Sequence, residues 1–89
     1  IGRLNVVPQD IDIVGVSAGV IEIFSMVAEL KQIKINLQAP DQLEVRADID
    51  MIKTVIRNLI SNALKFSNPG SEVQVVIEEK EENIVPLNP

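Results

Sequence analysis

Asn58, Asn62 and Lys65 follow one another at steps of four and three residues within "RNLISNALKFSNPG", Arg57 to Gly70. The apolar residues around them recur at helical spacing. A helix turns about 100° per residue, which places the two amides and the ammonium within roughly 60° of one another. Amide oxygens are neutral hard ligands that suit Mg²⁺. An ammonium is a point charge that suits phosphate. Such a line could bind a magnesium-bound polyphosphate. The same spacing equally suits boundary asparagines that hydrogen-bond a neighbouring loop. Asparagine is a middling helix former, more usual at caps and turns, so either role costs some helical propensity.

The helix that carries this line is predicted over residues 48–67. Asp48 is its expected N-cap and Asp50 suits its first turn. Ile52, Val55, Ile56, Leu59, Ala63 and Phe66 form the expected apolar face. The asparagine line flanks that face, with Val55 and Phe66 between. Lys53 and Arg57 lie on the far, solvated side. Pro69 and Gly70 end the helix.

Upstream, residues 1–11 read as an extended lead-in, with Pro8 opposing helix. Residues 12–31 read as a first helix. Ile13, Val16, Val20, Phe24, Val27 and Leu30 mark its apolar face, and Asp12 is the candidate N-cap. Gly15 and Gly19 weaken it, so tertiary packing must hold it. "IKINLQ" and "LEVRA" alternate apolar and polar residues as half-buried strands do. With "APDQ" between them as a turn, residues 33–47 are expected to form a hairpin. Residues 72–85 are expected to form a second strand pair, broken by Pro86. The order points to one α+β domain: a two-layer sandwich with two helices on one face of a mixed sheet.

Composition removes several chemistries. The 89 residues contain no cysteine and no histidine. Thiolate nucleophiles, disulfides, Cys-based zinc sites, imidazole bases and a phospho-accepting histidine are therefore absent from them. The net charge is −5 with scattered cations; a nucleic-acid surface would show a basic stripe. No catalytic residue is expected. No apolar run is read as approaching a membrane span, and an intracellular setting is expected. Because the chain opens on Ile1, it is expected to be a segment of a longer protein.

"NLISNALKFS" resembles the N box of the ATP-binding domain of sensor histidine kinases, which share the Bergerat fold with gyrase, Hsp90 and MutL ATPases. The similarity runs in register through "IKINLQAPDQLEVRADIDMIKTVIRNLISNALKFSNPGSEVQVVIEE" and covers nearly all of residues 4–85. It implies ATP and Mg²⁺ as ligands. It makes Asn58 the magnesium-coordinating asparagine, and Asn62 a phosphate contact that also supports the metal. Lys65 becomes the phosphate-binding lysine and Phe66 an aromatic beside the nucleotide; Phe66 also suits the core. Ser67 and Asn68 are the helix end, and Asp48 is explained by its cap. Hydrolysing members usually carry glutamate at the position of Asn58. An amide cannot act as a base, so Asn58 fits phosphoryl transfer better than hydrolysis.

The resemblance implies a parent in a two-component system, cytoplasmic here and with room for a membrane anchor elsewhere. That parent would carry a histidine-bearing dimerisation domain and meet a response regulator. The family's aspartate-glycine box and later glycine-rich box are missing from these residues. Four glycines are present, Gly2, Gly15, Gly19 and Gly70, and none forms such a motif. The fold is thus expected as an incomplete Bergerat domain, inactive alone. An open sheet edge is expected to drive self-association. A non-catalytic dimerisation or interaction module derived from the same fold is the alternative.

Overall fold

The structure, a computed structural model, describes residues 5–80. In chain order these form β1 (Gln9–Asp12), α1 (Ile13–Leu30), β2 (Lys34–Gln38), β3 (Glu44–Ala47), α2 (Ile49–Phe66) and β4 (Glu72–Val76). The class is the expected α+β one, with two helices and four strands of mixed direction. The part of the expected second strand pair beyond residue 80 lies outside the described residues.

The strand pairing differs from the expected hairpin. β2 and β3 do not pair with one another. β3 pairs antiparallel with β1, with Ile11 opposite Val45 and Gln9 opposite Ala47. β2 pairs parallel with β4, with Ile35 opposite Val73 and Leu37 opposite Val75. Alternation shows that a segment is a strand and which face is apolar; it does not name the partner. The lead-in expected over residues 1–11 thus supplies most of a strand. Pro8 only precedes that strand, at a position that tolerates it.

Asp12 decides the first junction. Its Oδ1 accepts from Val14 N–H at 3.2 Å, capping α1, and from Leu43 N–H at 3.0 Å. The Ile13 N–H donates to the Leu43 carbonyl at 2.9 Å. One side chain therefore starts the helix and fixes the loop that enters β3. A Cβ at Gly15 would sit 3.0 Å from Asp12 Oδ2, which crowds any larger residue there.

A second junction sets the parallel pair. Gln32, after α1, has φ 59°, and Gly70, after α2, has φ 88°. The Gly70 N–H donates to the Gln32 carbonyl at 2.6 Å, and Lys34 N–H to the Ser71 carbonyl at 3.1 Å. Two left-handed residues thus bring the exits of both helices together. β2 and β4 then run on side by side, with α2 inside the crossover that parallel strands require.

The core lies between the helices and the parallel pair. Val20, Ala28, Ile33, Ile60 and Leu64 are buried, and Phe24, Ile35, Ile56, Val73 and Val75 pack against them. The expected apolar faces were drawn too wide. Val27 and Leu30 of α1, and Val55, Leu59 and Phe66 of α2, are exposed. The expectation about membrane-length apolar runs is also corrected. α1 has 18 residues and a mean hydropathy of 1.8, long and apolar enough by length and composition to cross a membrane. Glu22 and Glu29 interrupt the run, so no unbroken apolar stretch of that length is visible in the sequence. Val20 and Ala28 nevertheless place one side of it in the core.

Candidate functional site

α2 is held at both ends, which makes its outer surface a fixed platform. At its start Asp48 is buried at 4% exposure. Its Oδ1 accepts from the Asp50 and Met51 N–H groups at 3.0 and 3.2 Å. Its Oδ2 accepts from Val7 N–H at 2.9 Å. At the other end the Lys31 ammonium donates to the Leu64 carbonyl at 2.9 Å. Ser67 Oγ donates to the Ala63 carbonyl at 2.6 Å. These contacts satisfy two carbonyls of the last turn, which has no partners for them within the helix.

Between these anchors Ile60 and Leu64 point into the core. Asn58, Asn62, Lys65 and Phe66 are all exposed. The four share one side of the helix, spanning about 100° around the axis. The two asparagines, four apart, have Cβ atoms about 5–6 Å from each other. Neither amide hydrogen-bonds another described residue, so the boundary-loop role for them is not what the structure shows. The Lys65 ammonium sits 5.5 Å from the centroid of the Phe66 ring, a cation–π contact at an exposed site. Phe66 is 77% exposed, which removes the core role. Asp48 is a cap and a junction, and lies away from this row.

Sequence reasoning missed the apolar companions of the row. Met51, Val55 and Leu59 are 49%, 54% and 65% exposed and lie on the same side of α2. A binding surface here would thus have two amides and a cation beside an apolar strip. The signal was available in the i, i+4, i+8 spacing of those residues. It was absorbed into a single apolar face that wraps too far round the helix to be buried by one neighbour. Leu59 also lines a cleft of about 350 Å³ with Ile56, Ser17, Val75 and Ile77. That cleft opens between α2 and the end of β4, and it does not include the asparagines. A cavity of about 470 Å³ lies elsewhere, between α1 and β2 around Ile21, Ala28 and Ile33.

The donor set constrains what the row could hold. No group of three His, Cys, Asp or Glu that could bind a metal occurs among the described residues. Asn58 and Asn62 would give a magnesium ion two neutral oxygens at most. Magnesium keeps several waters and takes phosphate oxygens readily, so this set fits an ion that arrives with a polyphosphate. It does not fit a resident metal.

Comparison with known proteins bears on this geometry. No family model matches the chain. The adaptive-response sensory kinase SasA of Prochlorococcus marinus (strain MIT 9215) is 35% identical over 74 residues, covering 82% of this chain and 20% of that protein. The sensor protein KdpD of Clostridium acetobutylicum is 39% identical over 56 residues, 62% of this chain and 6% of that protein. This chain is a region related to sensor histidine kinases. The fold of the kinase-related chain agrees. The cytoplasmic segment of histidine kinase QseC superposes with a TM-score of 0.75 at 19% identity, over 86% of this chain and 50% of that one. The Acinetobacter baumannii histidine kinase AdeS gives 0.77 at 22% identity, over 86% and 38%. The kinase-related chain spans about a fifth of the length of SasA.

Proposed function

We propose that this chain is part of the ATP-binding domain of a two-component sensor histidine kinase, and that α2 supplies one wall of its Mg-ATP groove. Asn58 and Asn62 would offer amide oxygens to Mg²⁺ and the phosphates. Lys65 would neutralise phosphate charge, and Phe66 with Leu59 would border the base or ribose. The whole protein would transfer the γ-phosphoryl group of ATP to a histidine outside these residues, and a response regulator would then receive it. Its setting would be the cytoplasm, the compartment named for the QseC segment. In such transfer the protein mostly positions groups and neutralises charge, which is what two amides and an ammonium can do.

One observation carries the reading: an amide, amide, ammonium and aromatic row stands exposed on a helix anchored at both ends. A loop-bracing role would have consumed the amides, and a core role would have buried Phe66. The test is titration of the 89-residue chain with Mg-ATP, followed by NMR. Side-chain amide shifts at Asn58 and Asn62, saturating weakly in the millimolar range, support the reading. Unmoved amides with shifts elsewhere count against it.

The 89 residues contain no aspartate-glycine or glycine-rich box. For that reason the chain alone is proposed to be inactive and a weak ATP binder. The same observation favours a second reading, a non-catalytic interaction module that retains part of the fold. A D-x-G-x-G segment in the gene beyond Pro89 would support the kinase, and its absence the module.

A further inference from the structure

The first halves of α1 and α2 enclose a hollow of about 360 Å³. Val20, Ile23 and Ile49 give it apolar walls, and Lys53 and Arg57 of α2 form a charged rim. Gly19 keeps it open, since a Cβ built there would meet nothing within 4 Å. No carboxylate lines it. Lys53 is half-buried and Arg57 exposed. Four positions apart, they stand one above the other on the same helix face, where like charges repel. Neither has an ion pair or side-chain hydrogen bond to another described residue. The cavity beside β2 differs: Glu29 and Lys34 both line it, so it selects no sign of charge. The cleft beside Leu59 has no charged lining at all.

We propose that this hollow binds a small amphiphilic anion: a carboxylate on a short aliphatic body. The charge of the lining selects that occupant. The head would sit between Lys53 and Arg57, relieving their repulsion, and the guanidinium offers a carboxylate two parallel N–H donors. The body would lie along Ile23, which is 64% exposed without it, so binding would remove apolar surface from water. The volume falls within the range usual for small-ligand sites, about 300–1,000 Å³. The net charge of −5 works against anions in general, so a bare anion gains too little here and the apolar body is needed. Lys53 lies roughly 140° around α2 from Asn58. This site is therefore separate from the asparagine row, and the inference is independent of the nucleotide-binding reading.

The test is titration of the 89-residue chain with octanoate, octan-1-ol and inorganic phosphate, followed through the methyl NMR signals of Val20, Ile23 and Ile49. Octanoate is expected to shift all three and to saturate with a Kd of about 0.2 mM, reasonable for so small a ligand. Octanol should bind about tenfold more weakly or less, and phosphate should leave the methyls unmoved. Lys53→Gln with Arg57→Gln should bring octanoate down to the level of octanol, while octanol itself is unaffected. Gly19→Leu should block both, because its side chain enters the hollow, and the open space at Gly19 lets that variant fold. Methyls that never saturate with octanoate overturn the proposal. Equal affinity for octanol and octanoate does so too, since it would leave only an apolar patch. Undiminished octanoate binding by Gly19→Leu would place the ligand elsewhere and overturn it as well. Anionic lipid in a bilayer shares the head chemistry. Binding to phosphatidylglycerol vesicles without saturable octanoate binding would assign the face to a membrane instead and end the proposal.

Discussion

The Lys31 ammonium, just past the end of α1, donates to the Leu64 carbonyl in the last turn of α2 at 2.9 Å. That bond joins the two helices beside Lys65 and Phe66, so the position of the candidate row depends on a residue outside it. Lys31 also places a cation at a helix C-terminus, where the dipole favours it. Replacing it by methionine keeps most of the aliphatic stem and removes the donor. Lys31→Met should lower stability by about 1 kcal/mol in urea unfolding. It should also raise amide exchange in the last turn of α2. Unchanged exchange there would show that the bond does not hold the turn.

Asp48 joins three backbone donors, two in α2 and one at Val7. Asp48→Ala removes a helix cap and leaves a partly buried N–H unpaired, a combined loss of about 2 kcal/mol. Asp48→Asn keeps an acceptor for the cap and should lose less. Equal losses for the two variants, read from urea midpoints at constant m, would mean that the charge rather than the cap matters.

Phe66 separates a ligand-facing role from a core role. At 77% exposure its truncation to alanine should change stability by no more than about 0.5 kcal/mol. A core phenylalanine would cost about 3–5 kcal/mol on the same change. Thermal or urea unfolding of Phe66→Ala decides between them.

Both helices and the alternating strands were legible because periodicity reports burial directly. Asp12 and Asp48 were legible as caps for the same local reason. Strand partners were not. β1 has four residues with only Ile11 buried, and nothing local says that Val45 is its neighbour. The parallel pair depends on Gly70 meeting Gln32, 38 positions apart in sequence. Gly70 was visible as a turn residue, but Gln32 carries no sign of its positive φ. In the site, the types and spacing of Asn58, Asn62 and Lys65 were readable. Their exposure was not, because it depends on how far the core wraps around α2. The outward placement of Val55 and Leu59 shows that it stops short of them.

Charge at the row should control whatever anion meets it. Lys65→Glu in the intact protein should weaken Mg-ATP binding by about tenfold or more, with an unchanged unfolding midpoint because the side chain is exposed. Calorimetry beside urea unfolding tests both halves. A loss of stability equal to the loss of affinity would make Lys65 structural.

The central claim is that the asparagine row faces nucleotide. The most direct measurement is a Mg-ATP titration of ¹⁵N-labelled chain that follows the side-chain amides of Asn58 and Asn62. The account predicts that both shift together and saturate in the millimolar range, that Mg²⁺ alone moves them little, and that Asn58→Ala abolishes the response at Asn62. Saturation with both amides stationary would contradict it.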